Sequence, residues 1–401
     1  MSKTHIIIGT SAAGIGAFNK LRQLDPQAEI ICISQEKELP YNKCFLAEYL
    51  GNIKLLDSIY TVKQPLPPTF LLGTKVTHIN PADKRLHLSD GQMLSYNSLF
   101  LGLGTHALRP PIPGIELEGV FTFHTLADTQ AIIDYIARYH VKQAVVIGAG
   151  LSGLEAADAL LAHGVQVSVV EQKSQVLPAH VDLQGSQLIQ AAMEAHKVAL
   201  YGSERVTQIL GASDRVIGVQ LAGGGQLPAD LVIVAIGARP NTSLAAQAGL
   251  EMQGGGIVTM PTLATSIQDI YAGGDVALVN DQLTAQKVLN GTWPDAMLQG
   301  MMAAHAMAGQ PKTYPGVLVV VSSSFFGVKF ASCGLVVSPS GSCEVIAGIG
   351  EQGYQKILLE AGHIKGFLLV GPRLANLGIL RRAALTRELM TPEAIANLIK
   401  S

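Results

Sequence analysis

Apolar and polar positions follow a repeating order along this chain: a short β-branched run, a glycine-rich turn, then a longer stretch with helical period. His5-Ile6-Ile7-Ile8 and Ala144-Val145-Val146-Ile147 are the two clearest runs of strand length. Residues 15–24 and 151–163 follow them as Ala/Leu-rich helices, and residues 29–34 and 165–171 supply the next strands. Each half therefore opens as a βαβ unit. Between the halves, short strands are expected at 73–79, which includes Val76, at 85–88 and at 98–104, with a turn at Ser89-Asp90-Gly91. The segment Arg109-Pro110-Pro111-Ile112-Pro113-Gly114 fits neither a helix nor a central strand and reads as a linker. Residues 129–139 read as helix and 231–237 as a buried strand leaving through Gly237-Ala238-Arg239-Pro240-Asn241. A helix over 294–308 follows Gly274-Asp275. Beyond Pro311 the pattern changes to strands at 316–321, 329–337, 343–348, 354–359 and 365–370, with a final helix from about 376. The fold class is α/β, with two Rossmann-like domains and a carboxy-terminal α+β domain over 311–401.

Composition supports a large, well-buried protein. The 401 residues are 48% hydrophobic and only 14% charged, enough for two or three domains with substantial cores. A net charge of -2 offers no basic face to nucleic acid, and no apolar run approaches the ~18 residues that a membrane span needs. The apolar run after Lys3 stops at Gly9, too short for a signal peptide. A soluble protein with neither nucleic-acid nor membrane partners is expected. Cys32, Cys44, Cys333 and Cys343 form no CxxC pair and are too scattered for a disulfide framework. That fits a reducing cytoplasm and leaves any thiol chemistry to one cysteine. The histidines show no ligand spacing, so no metal is assigned.

Chemistry enters at the turns. Gly148-x-Gly150-x-x-Gly153 is a complete dinucleotide-binding turn, in which the backbone approaches a pyrophosphate held by the helix N-terminal amides of Leu151, Ser152 and Gly153. Gly9-Thr10-Ser11-Ala12-Ala13-Gly14 is the same turn with serine in the second glycine's place. Two such turns imply two nucleotide cofactors and electron transfer between them. Glu36, 22 residues past Gly14, and Glu171, 18 past Gly153, stand where a carboxylate reaches a ribose diol. Glu171 favours NADH, because a 2'-phosphate would call for arginine; Lys173 leaves NADPH as the alternative.

Taken with the order of parts, these motifs resemble the two-dinucleotide-binding-domain flavoproteins, the pyridine nucleotide disulfide oxidoreductases, over nearly the whole chain. The segment Tyr271-Ala272-Gly273-Gly274-Asp275-Val276-Ala277 is similar to the family's second FAD motif, in which the aspartate holds the ribityl chain. Gly104-Thr105 resembles the end of its Ala-Thr-Gly strand, with Leu103 replacing the threonine, and 234–241 resembles the strand that closes the NAD(P)H domain. The resemblance implies an FAD-binding domain over 1–112 and 240–310 and an NAD(P)H-binding domain over 113–239. It implies FAD contacts from Gly9, Ser11, Ala12, Ala13, Gly14, Glu36, Lys43, Val76, Gly104, Gly274, Asp275 and Ala277. It assigns Gly148, Gly150, Leu151, Ser152, Gly153, Glu155, Glu171 and Gly237 to the nicotinamide cofactor, with Glu155 close to the nicotinamide. A homodimer through the carboxy-terminal domain is expected.

Cys44 decides where the electrons go. It stands 30 residues past Gly14, beside Lys43, where a short amphipathic helix begins. A cysteine so placed has a depressed thiol pKa and a reactive thiolate. The position matches the single redox cysteine of coenzyme A disulfide reductases and NADH oxidases. The same stretch is similar to that of rubredoxin and ferredoxin reductases, in which proline holds the cysteine's place. Ala12 stands where peroxidase-type members carry an acid–base histidine, which argues against peroxide chemistry. The expected activity is FAD-dependent oxidation of NADH, with electrons passing to a small disulfide through Cys44. The alternatives are direct flavin transfer to a small electron-carrier protein, or a non-catalytic flavin- or NADH-sensing module.

Overall fold

The computed structural model describes residues 3–62, 67, 69–289, 291–338 and 341–400. The chain divides into two compact units, one of Met1–Phe45, Leu55–His106 and Ala238–Val317, the other of Leu46–Lys54, Ala107–Gly237 and Leu318–Ser401. The proline-rich segment 109–114 lies in the second unit, where Gly114 approaches the Ile209 carbonyl so closely that a Cβ would sit 2.1 Å from its oxygen.

The first unit is built on a five-stranded parallel sheet in the order Ile270–Ala272, Ser98–Leu101, Thr4–Ile8, Glu29–Ile33, Phe70–Leu71. Ile6 and Ile7 pair with Ile31 and Cys32 on one side and with Leu99 and Phe100 on the other. Covered on both faces, these strands need continuous apolar runs, which is why they stand out in the sequence. The helix Ala12–Leu24 lies against the helix Trp293–Met307 with the two backbones touching. A Cβ on Gly16 would come 2.3 Å from the Met297 oxygen, and one on Gly300 would come 1.9 Å from that of Ala13. Val76 is buried at the start of an antiparallel meander, Val76–Asn80, Arg85–Leu88 and Met93–Ser95. A four-stranded sheet over Met252–Gln253, Gly256–Val258, Ala277–Asn280 and Lys287–Leu289 was not expected; its strands are too short to show a period.

The second unit repeats the plan. Its parallel sheet runs Ala199–Gly202, Gln166–Glu171, Gln143–Ile147, Leu231–Val234, Val120–Thr122. The helix Leu126–Tyr139 starts earlier than periodicity suggests, because Thr125 and Asp128 form a capping box that fixes its first turn. Beyond Leu318 comes a five-stranded antiparallel sheet in the order Val320–Phe325, Val328–Gly334, His363–Gly371, Gly353–Glu360, Glu344–Gly350. Its first strand lies later than the expected 316–321. The apolar residues Val317 and Leu318 are buried outside any strand, and the strand itself carries Ser322-Ser323-Ser324. The final helix is two, Leu377–Thr386 and Pro392–Lys400: Arg387 ends the first in a left-handed conformation, and Pro392 opens the second. The architecture is thus α/β, two Rossmann-like sheets plus an antiparallel α+β part. Among the described residues no helix is long and apolar enough to cross a membrane, and no group of three His, Cys, Asp or Glu side chains could hold a metal.

Candidate functional site

The first turn is shaped by two glycines that have no alternative. Gly9 has φ +102, and a Cβ there would lie 2.1 Å from the Gly102 oxygen; a Cβ on Gly14 would lie 1.8 Å from the Gly9 oxygen. Ser11 between them has φ -84 and ψ -163, an extended conformation open to any residue, and its side chain makes no cap hydrogen bond. Since the first intrahelical bond runs from Ile15 to Ser11, the amides of Ala12, Ala13 and Gly14 have no helical acceptor and suit an anion.

The turn carrying Asp275 is brought against this helix start. A Cβ on Gly274, φ +77, would stand 3.1 Å from the Ala13 Cβ, and the Ala277 amide closes the turn on the Gly274 carbonyl at 2.9 Å. The Gly274 N–H donates to Oε1 of the fully buried Gln299, 2.8 Å. The Asp275 carboxylate accepts from its own backbone amide. Burial raises its pKa, and the nearby Lys43 ammonium opposes that shift. A buried carboxylate with acceptor capacity left beside anion-binding amides fits a ligand with both hydroxyls and phosphates. Lys43 pairs with Glu36 at 3.3 Å, and its charge acts on Asp275 through space. Glu36 also accepts from the Tyr41 hydroxyl at 2.6 Å, so both its oxygens are engaged. Gly104, φ +61 with nothing within 4 Å of its Cβ position, opens the end of the Ser98–Leu101 strand.

The second turn has the same two fixed points. Gly148 has φ +107, and a Cβ on Gly153 would lie 2.1 Å from the Gly148 oxygen. Gly150, φ -77 and ψ -173, has empty space where its Cβ would be, as close approach of a pyrophosphate requires. Leu151, Ser152 and Gly153 open the helix behind it, and the Leu154 amide makes the first helical bond, to Gly150. Glu171 ends its strand beside the turn: one oxygen accepts from the Ala149 amide at 2.8 Å, the other from the Lys173 amide at 2.9 Å. Glu155 sits a turn into the helix, its Oε1 accepting from Ser323 Oγ at 2.7 Å. Burial raises its pKa, Ser323 opposes this, and Glu48 adds to it. Gly237, φ +112, accepts from the Leu108 amide at 2.9 Å.

Cys44 lies in the 3₁₀ turn Lys43–Phe45 that leads into the helix Leu46–Leu50, with its amide donating to Asn42 Oδ1 at 3.0 Å. Its side chain is exposed. Cys32, Cys333 and Cys343 are buried, and burial drives the Cys32 thiol pKa far upward. No disulfide forms.

A family model described as pyridine nucleotide-disulphide oxidoreductase matches residues 3–310. The chain belongs to this family. It is 33% identical over 328 residues to the NADH oxidase of Methanocaldococcus jannaschii, covering 79% of this chain and 73% of that one. It is 30% identical over 421 aligned positions to the epsilon subunit of the NADH-dependent phenylglyoxylate dehydrogenase of Aromatoleum evansii, covering 99% and 97%. Among solved structures, the NAD-dependent persulfide reductase of A. fulgidus superposes with a TM-score of 0.89 at 27% identity, over 98% of this chain and 78% of that one. The protein is an FAD-dependent NAD(P)H oxidoreductase, and the reading as a non-catalytic sensor finds no support. The flavin supplies a centre that exchanges electrons in pairs or singly; this chain's residues bind and orient it.

Three residues of the candidate site had no role assigned from sequence: Tyr41, Gln299 and Ser323. Gln299 had a readable signal, a polar side chain in the small, apolar run 296–308 that must find a buried partner. Tyr41 and Ser323 had none, because their partners Glu36 and Glu155 are reached only through the fold.

Proposed function

We propose that the protein oxidises NADH and delivers the electrons through Cys44 to a small disulfide- or persulfide-type acceptor. The observation that carries this is the exposure of Cys44 alone among the four cysteines, directly after Lys43, whose charge acts on the Asp275 carboxylate. In the first half-reaction a hydride would pass from NADH to the FAD that the first turn would hold, and NAD⁺ departs. In the second, the Cys44 thiolate attacks the acceptor's S–S bond, forming a mixed disulfide and expelling one half as a thiolate. The two electrons then cleave the mixed disulfide, returning the Cys44 thiolate and releasing the other half. Two protons, one carried by the hydride and one from solvent, complete the acceptor thiols. The persulfide reductase among the similar structures supports sulfur chemistry of this kind.

In this reading residues 1–112 and 240–310 hold FAD. The first turn takes its pyrophosphate, Asp275 its ribityl hydroxyls, and Lys43 and Glu36 complete the cradle. Residues 113–239 hold the nicotinamide cofactor across Gly148–Gly153, with Glu171 selecting NADH and Glu155 beside the nicotinamide ring. Residues 311–401 form the interface of a homodimer, and four scattered cysteines with no disulfide framework suit the cytoplasm.

Anaerobic titration with NADH tests the thiol route. The Cys44 disulfide form should take up about two equivalents, and Cys44→Ser about one, since flavin and disulfide are separate two-electron centres. Equal titrations would refute a redox role for Cys44 and favour direct transfer to a small electron-carrier protein.

A further inference from the structure

We infer that Ser323, supplied by the carboxy-terminal sheet, is a positioning residue for hydride transfer: its hydroxyl holds Glu155 in place as the carboxylate that faces the nicotinamide. The inference rests on the proposed place of Glu155 beside that ring and adds what controls its charge.

The strand Val320–Phe325 alternates, so Ser322 and Ser324 are exposed while Ser323 turns toward the helix Leu151–Leu161. There its Oγ donates to Glu155 Oε1 at 2.7 Å. Hydride departure leaves positive charge on the nicotinamide ring, which a nearby carboxylate stabilises and a neutral carboxyl does not. Burial opposes the ionised form of Glu155, and the Glu48 carboxylate on the helix Leu46–Leu50 adds to that opposition. The Ser323 hydroxyl is the donor that works against both.

Other charges around this helix are accounted for. Glu48 is paired with Lys54 at 3.3 Å. Asp158, a turn further along, accepts from the Phe326 backbone and interacts with His196. His163 bonds the Leu50 carbonyl at 2.6 Å. Glu171, at the end of the neighbouring strand, is taken up by the Ala149 and Lys173 amides. The strands Gln143–Ile147 and Leu231–Val234 carry no ionisable side chain.

The experiment measures flavin reduction by NADH, without oxygen, as a function of pH in wild type, Ser323→Ala, Ser323→Thr and Glu155→Gln. NAD⁺ binding to the oxidised protein is measured alongside by calorimetry. Wild type should show a rise in rate and in NAD⁺ affinity with pH. Ser323→Ala should move both curves about one pH unit toward alkali, the size expected for losing a hydrogen bond to a charged group. Ser323→Thr, which keeps the hydroxyl, should restore the wild-type curves. Glu155→Gln should be slow and independent of pH. If Glu155→Gln is slow and flat while Ser323→Ala overlays wild type, the role of Ser323 is overturned and the place of Glu155 stands. If Glu155→Gln matches wild type, that place fails and the inference fails with it.

Discussion

The two glycine turns of this protein agree in backbone and differ in what surrounds them. Gly9 and Gly148 share a positive φ near 100°, and Gly14 and Gly153 leave no room for a Cβ against the first glycine of their own turn. At the middle position both turns are extended, φ -84 at Ser11 and φ -77 at Gly150. Serine is therefore free of strain in the first turn: the middle glycine serves ligand approach and not the backbone. The carboxylates differ more. Glu171 is tied to its own turn through the Ala149 amide, whereas Glu36 is held by Tyr41 and Lys43, and the Lys43 charge also acts on Asp275. The first turn is accompanied by a paired cation and carboxylate, Lys43 and Glu36, the second by the carboxylate of Glu171 held by backbone amides. That contrast fits a large, permanently held flavin at the first turn and an exchanging nicotinamide cofactor at the second.

The largest effect expected from breaking this contrast is at Asp275. Asp275→Ala removes the carboxylate from the first site and leaves the second untouched, so FAD affinity should fall by about a hundredfold, the worth of charge-assisted hydrogen bonds. Fluorescence titration of FAD into flavin-free protein reads this, and NADH affinity should not change.

How much of this could be read in the sequence follows the same physics. The parallel strands around both turns were legible because burial on two faces writes an unbroken apolar run, as in Ile6-Ile7-Ile8 and Val145-Val146-Ile147. The strand Val320–Phe325 was misplaced because its three serines hide the period, and the helix Leu183–Ala195 was missed because Gly185, Ser186 and several glutamines dilute its apolar face. The two turns and Asp275 were legible because each needs particular residue types at fixed spacing. The partners Gln299 and Ser323 were not, since hydrogen bonds between residues 25 and 168 positions apart leave no local pattern.

A smaller contrast concerns pH. His5, on the strand before the first turn, is buried between Ser98 at 2.6 Å and Asp25 at 3.3 Å; Ala144 holds the matching place before the second. Burial lowers the pKa of His5 in the fold, with the Asp25 partner opposing. The unfolded chain therefore binds more protons between that lowered value and about 6.5, so the contribution is full above 6.5 and is lost as pH falls through the folded pKa. The raised pKa values of Glu155, Asp158 and Asp275 act in the opposite direction, so the informative quantity is a difference. Between pH 7 and 5, His5→Gln should lose less thermal stability than wild type, by roughly 2 °C in melting temperature. Parallel curves would remove His5 from the account.

The smallest effect is expected at Ser11. Ser11→Gly gives the first turn the glycine pattern of the second without requiring a change of φ, and no cap hydrogen bond is lost. FAD affinity should change by less than about threefold, in line with the few tenths of a kcal/mol that separate serine from glycine at such positions.

The assignment of the two turns is tested most directly at Gly150, where a side chain fits the protein and obstructs only the ligand. In Gly150→Val the extended backbone accepts valine and the Cβ meets nothing within 4 Å. Anaerobic bleaching of the flavin by NADH, followed by absorbance on protein of measured FAD content, is the measurement. The account predicts a yellow protein with about one FAD per chain, since the first turn is intact, and flavin reduction slowed at least about a hundredfold by the lost pyrophosphate approach. A variant that loses its FAD, or is bleached as fast as wild type, would contradict it.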